Sequence, residues 1–89
     1  MEILFLKQVH HFIKRADAPL KERIKEEILK IKENPRIGEM LSGNLRGLRS
    51  HHFHFTKTQY RIAYQVKENL IIVTVAGREN FYRDLEKNV

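Results

Sequence analysis

Between Ser50 and Tyr64 the chain reads SHHFHFTKTQYRIAY, and the alternation in its first half strongly constrains the local structure. Successive side chains of a strand point to opposite sides. An extended backbone therefore puts Phe53 and Phe55 on one face and His52 and His54 on the other. The phenylalanines can build a core while the histidines face outward. Three apolar, β-rich runs at 48–56, 60–66 and 70–76 are separated by Lys57-Thr58-Gln59 and by Lys67-Glu68-Asn69, short enough to close hairpins. They predict an antiparallel meander.

Upstream the period changes. Ile3 to Leu6 reads as a short strand, after which Val9, Phe12, Ile13 and Ala16 recur at helical spacing. Asp17 is placed to cap a second helix, with Pro19 in its first turn and Leu20, Ile24, Ile28 and Ile31 as its apolar stripe. That helix should end near Glu33, because the residue before Pro35 is pushed out of the helical region. The segment from Arg36 to Gly47, punctuated by Gly38, Gly43 and Gly47, reads as an irregular connection that packs Met40, Leu41 and Leu45. Phe81 and Leu85, four apart, predict a short C-terminal helix. The expectation is a single α+β domain over residues 1–89. Two N-terminal helices would cover one face of a four-stranded, mainly antiparallel sheet in the order β-α-α-β-β-β, leaving the other face for a ligand.

At 89 residues the chain buries only about 60–65% of its unfolded surface. It has no cysteine, so a disulfide frame and a thiolate metal site are both excluded, which fits a reducing cytoplasm. Its apolar runs are far shorter than the roughly 20 residues of a membrane span, and its N-terminal stretch lacks the basic leader of a signal peptide. Seventeen Lys and Arg against eleven Asp and Glu leave a charge of +6, which favours an anionic partner. The excess is local. From Leu45 to Lys67 there are five Lys or Arg and no acid, whereas the helix at 18–33 is nearly balanced and reads as a solvated face with i, i+4 pairs.

Histidines and arginines gathered on one sheet suit the cleavage of RNA without a metal or other cofactor. That reaction needs a base for the 2′-hydroxyl proton, an acid for the departing 5′-oxygen, and cations for the charge that builds on phosphorus. Imidazole, with an ordinary pKa of about 6.5, serves either proton role near neutrality. Two residues along a strand span roughly 6.5–7 Å, enough for His52 and His54 to reach both sides of one phosphate. Arg61 and Arg78 would hold the pentavalent phosphate, and Tyr82 would stack on a base or orient the ribose. Arg46, Arg49, His51 and Lys57 form the basic surroundings expected to contact the RNA backbone. Blander readings exist: a solvated histidine pair, or Arg61 paired with a cross-strand acid. His-x-His supplies two metal ligands, with no obvious third nearby.

Three stretches together resemble the RelE/ParE superfamily of type II toxins: the L-x-G-x-L-x-G-L entry of Leu41 to Leu48, YRIAY of Tyr60 to Tyr64, and the closing G-R-E-x-x-Y of Gly77 to Tyr82. The resemblance covers nearly the whole chain. In RelE-type members it implies a toxin that enters the ribosomal A site and cuts the exposed mRNA codon, inhibiting translation, while an antitoxin encoded beside it wraps the toxin as a hetero-oligomer. Carried over by residue, Arg61 matches the arginine of the family's Y-R strand, Arg78 the arginine near the end of the last strand, and Tyr82 the C-terminal tyrosine. Two departures stand out. His52 and His54 occupy alternate positions where RelE has lysines, and the stretch from Gly77 to Tyr82 is shorter than in RelE itself. The alternatives under the same resemblance are a ParE-like inhibitor of DNA gyrase, and a non-catalytic relative that binds nucleic acid or an antitoxin.

Overall fold

The computed structural model describes residues 1–87. The chain runs β1 (Ile3–Phe5), α1 (Lys7–Arg15), α2 (Ala18–Glu33), β2 (Glu39–Met40), a 3₁₀ turn (Gly43–Leu45), β3 (Arg49–Phe55), β4 (Thr58–Val66), β5 (Leu70–Gly77) and α3 (Phe81–Lys87). The strands form one mixed sheet in the order β1-β5-β4-β3-β2, with β1 parallel to β5 and the other neighbours antiparallel. The expected four strands are thus five. The extra one, Glu39–Met40, is too short to carry a period in the sequence and pairs through Glu39–Ser50 and Met40–Arg49.

The local signals of α2 act as expected. The Asp17 carboxylate accepts a hydrogen bond from the Leu20 N–H at 3.0 Å, Pro19 lies in the first turn, and Asn34 leaves the helical region ahead of Pro35. The helices α1 and α2 lie on one face of the sheet, where Val9, Ile24, Ile28 and Ile31 pack against Phe53, Ile62, Tyr64, Ile72 and Val75. The β3–β4 turn is tighter than the spacing suggested. Phe55 pairs with Thr58, so only Thr56 and Lys57 form the loop, and Thr56 takes a positive φ of 57°, a costly conformation for a β-branched residue.

The opposite face is not wholly open. A second, smaller core joins Leu45, Leu48, Ala63, Val73, Ala76, Phe81 and Leu85, so α3 and the segment around the 3₁₀ turn cover part of it. Gly47 lets the chain turn into β3 by adopting φ 100°, which a side chain would strain. Along β5 the register shifts by one residue, since Ala63 pairs with Thr74 but Tyr64 pairs with Ile72. This bulge lets Ile72 and Val75, three apart, face the main core while Val73 and Ala76 face the smaller one. β5 is consequently buried on both sides, which explains its almost unbroken apolar sequence. Among the described residues no helix is long and apolar enough to cross a membrane.

Candidate functional site

The β3–β4 register sets the geometry of the site. His52 lies directly opposite Arg61, and His54 directly opposite Gln59. Opposed residues on antiparallel strands share a face, with Cβ atoms about 4.5–5.5 Å apart. His52, His54, Gln59 and Arg61 therefore form a compact quartet on the face away from α1 and α2. Both histidines are exposed, as a group that must exchange protons with a ligand requires.

Arg61 is half-buried where α3 meets the sheet. Its guanidinium carbon lies 5.9 Å from the ring centres of both Phe81 and Tyr82. One terminal nitrogen donates to the Tyr82 hydroxyl at 3.4 Å and the other to Gln59 Oε1 at 3.5 Å, both long contacts, while Nε is buried without a hydrogen-bond partner. Its cross-strand neighbours are His52 and Ala76 rather than an acid. An arginine positioned by aromatic rings and loosely held by neutral groups keeps donors available for an incoming anion.

Arg78 reaches the same end of the sheet by a backbone route, as its N–H donates to the Gln59 carbonyl at 2.8 Å just after β5 ends. It lines a cavity of about 600 Å³ together with His54, Lys57 and Gln59. The structure thus brings His54, Lys57, Gln59 and Arg78 around one opening, and joins His52, Arg61 and Tyr82 beside it. Sequence reading missed Gln59, which lies two residues from Arg61 on the same strand and so shares its face; parity alone could have found it. It also missed Phe81, whose ring contact with Arg61 depends on where α3 docks.

Two of the expected RNA-contacting residues point elsewhere. His51 and Arg49 have the opposite parity to His52 and His54, so they face the helices and the loop before β2. His51 Nε2 lies 2.7 Å from Glu27 Oε1 of α2. Arg49 donates to the Gly38 carbonyl at 2.7 Å and, weakly, to that of Arg36 at 3.5 Å, pinning the loop. Arg46 is exposed directly after the 3₁₀ turn, and its side chain makes no contact that places it at the quartet.

The Glu27 carboxylate is almost fully buried and gathers His51 together with Arg23 at 2.9 Å and Lys30 at 3.0 Å. Burial alone would raise its pKa, but the hydrogen bonds from His51, Arg23 and Lys30 outweigh it and lower the value from 4.5 to about 2. Tyr64 shows the opposite balance: burial raises its pKa against the opposing influence of Gly38 and Arg49. Its hydroxyl donates to the Pro35 carbonyl at 2.7 Å and accepts from the Gly38 N–H at 2.9 Å.

A family profile described as the ParE-like toxin of type II bacterial toxin–antitoxin systems matches residues 3–86. The chain belongs to that family. Its fold is shared with a free-state mutant of the Escherichia coli toxin RelE, at 17% identity over 99% of this chain and 96% of that one, with a TM-score of 0.76. It is also similar to a chain of the Mycobacterium tuberculosis RelBE2 toxin–antitoxin complex, at 20% identity over 86% and 96% of the two chains, TM-score 0.69. A chain of the intact E. coli RelBE complex matches at 17% identity over 84% and 93%, TM-score 0.68. No curated protein sequence matches significantly.

Proposed function

We propose that this toxin stops translation by cutting mRNA in the ribosomal A site, without a metal, and that an antitoxin encoded by an adjacent gene holds it inactive. The observation that supports the reading is the quartet: two exposed imidazoles facing an arginine whose terminal nitrogens make only long contacts to neutral groups. In this scheme His54, at the mouth of the cavity, takes the proton from the 2′-hydroxyl. The 2′-oxygen bonds to phosphorus, the bond from phosphorus to the 5′-oxygen breaks, and His52 delivers a proton to that leaving oxygen. Arg61 and Arg78 stabilise the charge on the equatorial oxygens, and Tyr82 orients the nucleotide against Arg61. The RelBE complexes that share the fold contain an antitoxin, and the basic excess of this chain suits an acidic one.

Primer extension on messages translated in a cell-free system tests the reading. Cuts within codons that disappear with His54→Ala are expected; intact messages in a translation-arrested reaction would overturn it. The family's description as ParE-like favours a second reading, inhibition of DNA gyrase. That activity needs no titratable groups, so toxicity unaffected by His52→Ala and His54→Ala, with a DNA-damage response, would select it.

A further inference from the structure

A second opening lies between α1 and α3, outside the quartet. It is a cavity of about 680 Å³ lined by Lys7, His11, Arg15 and Lys87, with Asp84 as its one acid. Lys7, His11 and Arg15 are spaced by four and so form one stripe of α1, a helix with no acidic residue. The Arg83 Nε lies 3.5 Å from Asp84 Oδ1, so that carboxylate already has a cation beside it.

Helix stability explains only part of this stripe. Arg15 and Lys87 occupy last turns, where cations complement the helix dipole, but Lys7 occupies the first turn of α1, where a cation is unfavourable. The helix dipole therefore does not account for its charge, which faces the opening. The opening also adjoins the cavity that holds His54, Lys57 and Arg78, because Phe12 lines both. From Lys7 to Arg15 the stripe runs about 12 Å along the helix, long enough to meet more than one phosphate of a strand.

We infer that the groove between α1 and α3 is a second nucleic-acid subsite, which grips the phosphate backbone of the single-stranded RNA whose cleaved bond lies at His52 and His54. The inference rests on the proposed nuclease activity for the identity of the polyanion. A strand leaving the first cavity past Phe12 meets successive cations on one helix face. Phosphate contacts of this kind fix register and strength of binding without reading sequence.

The test is fluorescence anisotropy of a short labelled single-stranded RNA against the whole protein over a range of salt, with poly-glutamate as a competing probe. The double variant Lys7→Gln/Arg15→Gln should bind RNA about 10-fold more weakly, and the slope of log affinity against log salt should fall by about 1.4 for two lost phosphate contacts. Lys7→Glu alone, which suits a helix N-terminus and keeps the fold, should also weaken binding. Cleavage by the wild type is measured alongside binding, which separates the two readings: groove-dependent binding without cleavage would sink the nuclease and leave the groove. RNA binding absent from the wild type, or unchanged in both α1 variants, would overturn the subsite. So would poly-glutamate that binds as tightly as RNA and is lost in parallel, since the groove would then receive an acidic protein chain.

Discussion

The amide of Gln8, at the start of α1, hydrogen-bonds both backbone groups of Val75 on β5: its Nε2 donates to the carbonyl at 2.9 Å and its Oε1 accepts from the N–H at 3.1 Å. β1 pairs with β5 only from Leu70 to Ile72, so the edge of β5 beyond that point would otherwise be uncovered. One side chain thus stands in for a missing strand residue. It also ties α1 to the part of β5 that leads into Gly77 and Arg78.

Replacing Gln8 with Leu should leave a buried donor and acceptor unsatisfied and cost about 1–3 kcal/mol. Urea unfolding measures the loss, and hydrogen exchange at the Val75 amide should lose protection. Unaltered exchange there would mean that another group covers the edge.

His54→Ala should lower cleavage by about 100-fold or more, as expected for loss of a proton-transfer group. Arg61→Lys should not restore an Arg61→Ala defect, because an ammonium cannot present a planar fork of donors while held between Phe81 and Tyr82. Single-turnover cleavage by each variant is the measurement. Near-normal rates in Arg61→Lys would reduce that residue to a point charge.

Glu27 makes stability depend on pH with a definite sign. Its pKa falls from 4.5 to about 2 on folding, so its contribution is fully present above about 4.5 and is lost as pH falls through about 2. Urea midpoints between neutral pH and pH 2 should decline steeply in the wild type and less so in Glu27→Gln. At neutral pH that variant should be destabilised by on the order of 2 kcal/mol, less than for a fully buried pair because Lys30 and, partly, Arg23 remain solvated. Equal acid sensitivity in both proteins would show that other carboxylates control the transition.

Gly38→Ala should be destabilising, since its Cβ would come within 2.7 Å of the Tyr64 hydroxyl and 2.9 Å of that ring. About 1–3 kcal/mol is expected from the clash. Tyr64→Phe in the same chain should relieve only part of it, because the ring contact persists. A thermal double-mutant cycle reads the coupling, and strict additivity would place the strain elsewhere.

The polypeptide's own pattern settled every element but β2: the Asp17 cap and Asn34-Pro35 stop bounded α2, and the alternation from His52 to Phe55 assigned two faces to β3 before any packing was known. These are local effects, decided within a few residues by hydrogen bonding and backbone sterics. Long-range pairing decided what local pattern could not: the register that puts His52 against Arg61, the bulge that sends Val73 and Val75 to different cores, the short β2 strand, and the docking of α3 that walls Arg61 with Phe81 and Tyr82. The same parity that exposes His52 turns His51 towards the buried Glu27; the pairs of Glu27 with Arg23 and Lys30 are local to α2 and follow from spacing, whereas its burial and its bond to His51 exist only once α2 packs on β3.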